Sequence, residues 1–365
     1  MKILHTADLH LGKSLNEYSL LDLQKEMLEE LLDVVEKEEI ELVLLAGDIY
    51  DRSLPPKEAV ELLSSFLTRL TRRLGSKVIM ISGNHDSHER LGYASEILSG
   101  MGLYIPSAGK EIEETRLGDV SVYSVPYLDR TYLSYLYEMS FKNLEEAFSH
   151  HISSIELDSS RFNIFMTHHY ILGSAALEES ESERPLFLGA TENISAGLFK
   201  EFDYVALGHI HRMQGLADGV YYPGSPLKYS KGEATKTPGY LLLDTDTKKV
   251  DFRELVLSKD LVVKRGLFSE LIKETSGDLV FFELEDDSYQ PQAMARLKKN
   301  FPGALGLSYL NLSSNLSVES SRKVQSMDYL SLFEKFYLES LGRDLDKKER
   351  ELVRDLLERS SHETY

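Results

Sequence analysis

Several kinds of residue and segment are missing from this 365-residue chain, and each absence narrows what the protein can be. There is no cysteine, which excludes disulfides and zinc fingers, so any metal ion must bind through His, Asp, Asn or Glu. No run approaches the roughly 20 apolar residues that a membrane-spanning helix needs. The N-terminal sequence MKILHTADLHLG turns polar too early for a signal peptide, so we expect a cytoplasmic protein with no membrane partner.

Basic residues are also in short supply. The 41 Lys and Arg stand against 60 Asp and Glu, which gives a net charge of -19. A protein that wraps nucleic acid with its whole surface needs positive charge, because neutralised phosphates supply most of such binding. The balance argues against that class, although a bound divalent ion can still make one local site positive.

Strand and helix patterns alternate over about the first 210 residues. Five short apolar segments are typical of buried strands: KILHTA, LVLLA, KVIMIS, NIFMTH and YVALGH. Apolar positions from Leu20 to Val35 have helical spacing, and Pro55 and Pro56 open a helix that we expect to run to about Leu74 before Gly75 stops it. Continuous apolar strands predict a sheet covered on both faces. The Gly and Pro turns of 214–256 predict the edge of a second sheet.

The remaining chain predicts a small α+β domain and a helical tail. We expect domains at 1–256, 257–318 and 319–365, the last beginning in the Ser-rich linker SSNLSVESS. Asp346 and Glu349 form a predicted capping box for the last helix. The preceding helix has an apolar stripe, which either packs on its own protein or docks a partner helix: Met327, Leu330, Phe333, Phe336, Tyr337 and Leu341.

Five polar clusters each follow a predicted strand. They are Asp8-Leu9-His10, Gly47-Asp48, Gly83-Asn84-His85-Asp86, His168-His169 and Gly208-His209-Ile210-His211. Carboxyl ends of parallel strands gather at one edge, where ligands bind, so we expect these clusters to converge. Taken alone, each motif is more often a turn, a helix cap or a histidine whose hydrogen bonds are made within the protein. Their joint occurrence behind apolar strands favours a site.

Asp, Asn and His without Cys suit Mn, Fe, Zn or Mg. The candidate ligands are Asp8, His10, Asp48, Asn84, one of His168 and His169, His209 and His211. Seven ligands are too many for one ion but suit two ions about 3.5 to 4 Å apart, bridged by one carboxylate, for which Asp48 is the natural choice. We expect Asp86 to orient the imidazole of His85. His5 is expected to be a core residue or one that supports a ligand. His150 and His151 are expected at the end of a helix, where cationic side chains are favourable.

The motifs DLH, GD, GNHD, THH and GHIH resemble the signature of the calcineurin-like metallophosphoesterase superfamily, over residues 1 to about 215. Longer segments are similar to the SbcD family of nuclease subunits: HTADLHLGKSL, LLAGDIYDRSLPP, GNHDSHERLGYAS and YPGSPLKYS. The resemblance implies an α/β fold, a two-sheet sandwich flanked by helices with a small α+β capping domain. Many relatives carry a residue other than His at the position of His88. At the position of Asp51, SbcD-like members also tend to have Asp. Neither residue is therefore given a role.

The resemblance also implies site roles. Asp8, His10, Asp48 and His211 would hold one metal ion, and Asp48, Asn84, His168 and His209 the other. His85 would be the catalytic histidine that is not a ligand. His168 is preferred to His169 because its spacing to Gly173 resembles the family's. The two divalent ions are expected to be Mn²⁺, with Mg²⁺, Fe²⁺ or Zn²⁺ as alternatives.

The function implied is a DNA exonuclease and endonuclease for DNA end processing, repair and recombination. A hydroxide activated by two metal ions would hydrolyse the phosphodiester. The partners implied are DNA ends, hairpins and single strands, an SbcC-type ATPase bound through the C-terminal helices, and a second copy within a heterotetramer. Two alternatives stay open: a metallophosphoesterase for nucleotides or phosphoproteins, and a non-catalytic protein that tethers the ATPase and DNA.

Overall fold

The computed structural model describes residues 1–173 and 193–311 and, nearer the C-terminus, residues 330, 333, 334, 337, 343–347, 349, 350 and 352–354. The strands are β1 (Lys2–Thr6), β2 (Ser14–Leu15), β3 (Tyr18–Ser19), β4 (Leu42–Ala46), β5 (Lys77–Ile81), β6 (Leu103–Tyr104), β7 (Glu113–Leu117), β8 (Val120–Val125), β9 (Phe162–Thr167), β10 (Ile171–Leu172), β11 (Ile194–Ser195), β12 (Tyr204–Leu207), β13 (Gln214–Ala217), β14 (Val220–Tyr222), β15 (Gly239–Asp244), β16 (Lys249–Glu254), β17 (Leu261–Gly266), β18 (Leu279–Leu284) and β19 (Ala304–Tyr309). The helices are α1 (Leu21–Lys37), α2 (Lys57–Thr68), α3 (His88–Leu91), α4 (Ser95–Ser99), α5 (Arg130–Tyr137), α6 (Leu144–Ile152), α7 (Phe268–Leu271) and α8 (Ala293–Leu297).

Two six-stranded sheets dominate the fold. The first has the order β16-β15-β1-β4-β5-β6, and the second has the order β13-β14-β12-β9-β8-β7. In each sheet the central strands are parallel, and antiparallel strands complete one edge or both. The carboxyl ends of the parallel strands carry the polar clusters of the sequence.

The two sheets pack face to face. Ile3, Leu44 and Ile79 of the first sheet share one buried cluster with Ile164 and Ala206 of the second. A second buried cluster lies between the first sheet and the helices α1 and α2, and a third packs α5 and α6 on the second sheet. Central strands are therefore covered on both faces, which is why their sequences are apolar without alternation. The predicted two-sheet sandwich flanked by helices is confirmed.

One prediction about this region was wrong in detail. We expected residues 214–256 to close the second sheet, but only β13 and β14 do so. β15 pairs with β1 in antiparallel register and β16 follows it, so this hairpin extends the first sheet. The helix that follows Pro56 runs to Leu74 as predicted, and its last segment, Arg69–Leu74, is π-helical. Gly75 ends it as predicted, with φ of 78°.

The chain divides into two compact units. One comprises Met1–Lys264, Ile272–Phe282 and Met294–Gly306, and the other comprises Arg265–Leu271, Glu283–Ala293 and Leu307–Tyr365. The strands β17, β18 and β19 form a three-stranded sheet in that order, with α7 and α8 between them in the chain, as the sequence predicts. The domain boundaries at 256 and 318 stay a prediction.

The predicted capping box in the tail is confirmed. The backbone N–H of Glu349 donates to Asp346 Oδ1, and that of Asp346 donates to Glu349 Oε2, both at 2.9 Å. The Ser-rich linker and three residues of the predicted apolar stripe lie outside the described residues: Met327, Phe336 and Leu341. Among the helices that the structure describes, none combines the length and apolar character needed to cross a membrane.

Candidate metal centre

Both sheets deliver side chains to one cluster. Asp8 and His10 follow β1, Asp48 follows β4, and His168, His209 and His211 follow β9 and β12 of the second sheet. The turns lock together, because Asp8 N donates to the Gly47 carbonyl at 3.0 Å and His10 N to the Asp48 carbonyl at 2.9 Å. Asp8, His10, Asp48 and His209 have left-handed φ values of 56°, 41°, 48° and 100°. Such φ values are uncommon outside glycine and concentrate at functional sites.

Glycine precedes several of these residues because the turns leave no room for a side chain. A Cβ at Gly83 would collide with Asp48, and a Cβ at Gly208 would collide with the Ala46 carbonyl and with His168. The glycines of GNHD and GHIH therefore allow turns from two sheets to approach one another.

The first group of ligand atoms comprises Asp8, His10 and His211, whose atoms lie within 4.8 Å of one another. Nε2 of His10 is 3.2 Å from Nε2 of His211. Nε2 of His211 is also 3.9 Å from Asp8 Oδ1. Two imidazole nitrogens and a carboxylate oxygen thus face a common point.

The second group comprises Asp8, Asp48 and His168, again within 4.8 Å. Nε2 of His168 is 3.4 Å from Asp48 Oδ2 and 3.2 Å from Asn84 Oδ1. Asn84 Oδ1 is also 3.1 Å from Nδ1 of His209. The structure therefore brings all four residues of the second predicted set together.

Asp48 Oδ2 faces one imidazole of each group. It lies 3.6 Å from His10 Nε2 and 3.4 Å from His168 Nε2. This is the position that a bridging carboxylate would need. Asp48 Oδ1 faces the other way and accepts the backbone N–H of His85 at 2.9 Å.

Burial and nearby charge shift the pKa values of the cluster in opposite directions. Burial raises the pKa of Asp8. Burial opposes ionisation of Asp48 as well, but His168 and His10 hold the pKa of Asp48 well below its usual range. Burial lowers the pKa of His168, yet Asp48 and Asp8 together raise it to about 9. Burial lowers the pKa of His209 to about 3. Positive charge is thus favoured between the two carboxylates.

His85 lies beside these groups with more access to solvent. Its side chain is 12% exposed, against 1% for His10 and 0% for His168. Its Nδ1–H donates to the backbone carbonyl of Asp51 at 2.8 Å, and its Nε2 is 4.0 Å from Asp48 Oδ2.

The prediction that Asp86 orients His85 is wrong. The Asp86 carboxylate accepts the backbone N–H groups of Ile49, Tyr50 and Gly83 at 2.9 to 3.0 Å. It therefore ties the loop after β4 to the loop after β5, while a backbone carbonyl orients His85. Burial and the nearby Asp48 raise the pKa of Asp86 to about 7.

Other histidines fall outside the cluster. Nε2 of His169 lies 2.9 Å from the Leu128 carbonyl, and burial lowers the pKa of His169 to about 3. His88 pairs with Glu89 at the surface. His5 is a core residue, as predicted. His150 and His151 lie in the last turn of α6, as predicted, but burial lowers the pKa of His151 to about 4 and disfavours its cationic form.

Sequence reasoning missed Glu233 and gave no role to Asp51, although both lie near the cluster. Glu233 is completely buried and lies 3.1 Å from Nδ1 of His211. Asp51 accepts from Lys13 at 2.7 Å, and its carboxylate groups with His10 and His85 within 4.8 Å. Glu233 does not directly follow a strand. The pattern of a polar residue just after an apolar strand, which identified the other residues, therefore could not identify this one. Its one signal in the sequence is its place shortly after the segment YPGSPLKYS.

Known proteins are similar in sequence to this chain. The family described as calcineurin-like phosphoesterase matches residues 1–213. A protein of Staphylococcus saprophyticus, named as the SbcD component of the nuclease SbcCD, is 30% identical, over 99% of this chain and 100% of its own. One of Staphylococcus epidermidis with the same name is 32% identical, over 98% of each chain. The chain therefore belongs to the calcineurin-like phosphoesterase family and, within it, groups with the proteins named as SbcD components of the nuclease SbcCD.

Proposed function

We propose that this chain is a metal-dependent DNA nuclease that hydrolyses phosphodiesters and acts with an SbcC-type ATPase. One observation carries the proposal: a single buried carboxylate oxygen, Asp48 Oδ2, faces imidazoles of two separate ligand groups. The relatives named as SbcD components of the nuclease SbcCD supply the substrate class and the partner.

The donor set suits two divalent cations. Asp8, His10, Asp48 and His211 would hold one, and Asp48, Asn84, His168 and His209 the other. Oxygen and imidazole ligands without thiolate fit Mn²⁺, and also Mg²⁺, Fe²⁺ or Zn²⁺.

Bound divalent cations would supply positive charge for a phosphate and a nucleophile near neutral pH. The chain's own residues do the rest. Asp8 and Asp48 contribute two negative charges where the histidines and Asn84 contribute none, so the loaded site is positive inside an acidic protein. A phosphodiester is attracted to that point despite the net charge of -19.

His85 is proposed as the catalytic residue. Because its Nδ1–H donates to the Asp51 carbonyl, Nε2 is the nitrogen that faces the cluster. An imidazole held this way and still partly exposed can donate a proton to the leaving oxygen or stabilise its charge.

The acidic surface suggests that the isolated chain binds DNA weakly. We expect tight binding with steep salt dependence only when the ATPase is present. The C-terminal helices are the proposed attachment, and a second copy completes the proposed heterotetramer.

The test is an end-labelled duplex assay on metal-stripped full-length protein, with Mn²⁺, Mg²⁺ and Zn²⁺ restored separately. We expect no cleavage without metal and the fastest cleavage with Mn²⁺. A nucleoside monophosphate and a phosphopeptide are assayed in parallel. Cleavage of those substrates with intact DNA would overturn the proposal, and so would DNA cleavage in the absence of any divalent ion.

A further inference from the structure

A buried ion pair lies directly behind His211 and has no part in the proposed chemistry. Nζ of Lys236 is 2.6 Å from Glu233 Oε2, and the two side chains are 2% and 0% exposed. Lys236 also donates to the Leu227 carbonyl at 2.7 Å. A buried ion pair is often no more stabilising than apolar residues of the same volume. Stability alone therefore gives no reason for these charges.

Glu233 is held from several directions. Its Oε1 accepts from Nδ1 of His211 at 3.1 Å and from the hydroxyl of Ser230 at 3.3 Å. Its Oε2 accepts from Lys236 and from the backbone N–H of Tyr229 at 3.1 Å. With both oxygens engaged, the carboxylate cannot turn away from His211. Donation from Nδ1 directs Nε2 of His211 towards the cluster, where it lies 3.2 Å from Nε2 of His10.

The second ligand group has no such support among the described residues. Nδ1 of His168 donates to the Ala46 carbonyl at 2.7 Å, a neutral backbone acceptor. His209 turns its own Nδ1 towards Asn84. The two ligand groups therefore differ in what accepts the hydrogen bond from Nδ1. In the group of His211 it is an ionised side chain, and in the group of His168 it is a backbone carbonyl.

We propose that Glu233 is a positioning residue for the cation held by Asp8, His10 and His211, and that Lys236 fixes Glu233 in place. This inference rests on the proposed function, because it requires two bound cations. A carboxylate behind an imidazole fixes the ring orientation and makes the ligating nitrogen more basic. The segment after YPGSPLKYS thereby gains a role that the phosphoesterase motifs do not supply.

The test counts Mn²⁺ ions bound to metal-stripped full-length protein, from the electron paramagnetic resonance signal of free Mn²⁺ during a titration. The variants are Glu233→Gln and, as a matched control, Glu89→Gln, since Glu89 pairs with His88 at the surface at 3.0 Å. We expect two ions in the wild type and in the control. In Glu233→Gln one ion keeps its affinity, and the other binds roughly 10- to 100-fold more weakly.

A second variant covers the chance that Glu233→Gln fails to fold with Lys236 left without its carboxylate. Glu233→Gln with Lys236→Met removes both charges and keeps an acceptor oxygen for His211, and we expect the same selective loss of one ion. Unchanged affinities in the folded variants would overturn the inference. An equal loss at both sites, with a lower unfolding midpoint of the metal-free protein, would also overturn it, since that is a structural role. A wild type that binds no Mn²⁺ would instead refute the proposed function, and the inference with it.

Discussion

His168 and His169 are adjacent in the chain and equally buried, yet they belong to different regions of the molecule. Nε2 of His168 faces the carboxylate of Asp48 at 3.4 Å, inside the cluster. Nε2 of His169 contacts the Leu128 carbonyl at 2.9 Å, and its Nδ1 contacts the hydroxyl of Thr167 at 2.8 Å. A histidine of the cluster keeps one nitrogen for carboxylates and other imidazoles, whereas a histidine of the core gives both to neutral protein groups. The two histidines are equally buried, so burial does not distinguish the two regions. The partners of Nε2 do distinguish them.

Asp48→Ala should have the largest effect, because it removes the carboxylate oxygen that faces an imidazole of each ligand group. We expect loss of bound Mn²⁺ and a fall in DNA cleavage of at least about 1,000-fold, the equivalent of several kcal/mol of transition-state stabilisation. Elemental analysis and an end-labelled duplex assay measure the two quantities. Asp218→Ala is the control, since Asp218 is an exposed residue in the turn between β13 and β14. Normal metal content in Asp48→Ala would contradict a shared ligand.

His85→Ala should separate chemistry from metal binding. The side chain of His85 is more exposed than those of His10 and His168, and its Nε2 is 4.0 Å from Asp48 Oδ2. We expect cleavage to fall by roughly 100- to 10,000-fold while Mn²⁺ binding is unchanged. His88→Ala, three residues along and paired with Glu89, should match the wild type in both assays. A fully active His85→Ala would refute the catalytic role.

The adjacent histidines test the comparison directly. His169→Ala removes the imidazole that contacts Leu128 and Thr167 and opens a cavity, so the free energy of unfolding should fall by about 2–4 kcal/mol. His168→Ala should instead weaken Mn²⁺ binding. Urea unfolding and Mn²⁺ titration of both variants measure these effects. The reverse pattern, with metal lost from His169→Ala alone, would show that the two regions are wrongly assigned.

His5, a core histidine with neutral partners, should have a smaller effect, which is a dependence of the free energy of unfolding on pH. It contacts Tyr204 Oη at 2.9 Å and the Leu207 carbonyl at 3.0 Å, and burial lowers its pKa from 6.5 to about 3. Between those values the unfolded chain binds a proton that the folded chain does not, so stability is present above pH 6.5 and is lost as pH falls. By about pH 5 the loss is roughly 2 kcal/mol.

Urea unfolding of metal-free protein at about pH 7 and about pH 5 measures this loss. His5→Gln cannot titrate in this range, so the difference between the two pH values should shrink by that amount. An undiminished difference in His5→Gln would mean that His5 is not a neutral core residue.

Much of the fold could be predicted because each buried strand is marked by its own residues. β4 is apolar and buried at all five positions, which predicts a strand covered on both faces. The hairpin of β15 and β16 was assigned to the wrong sheet because its apolar pattern fits the edge of either. Pairing is decided by which partner has a free edge, and β1 offers that edge to β15.

The sequence alone determined which residue types could form the site, and that each would follow a strand. It could do so because a strand is read from local periodicity and a metal ligand from its chemistry. Only the tertiary structure decided that His168 faces Asp48 while His169 faces Leu128, that Asp86 binds backbone N–H groups, and that Glu233 stands behind His211. Those outcomes depend on distances between segments that are far apart in the chain, and such distances exist only once the two sheets have packed together.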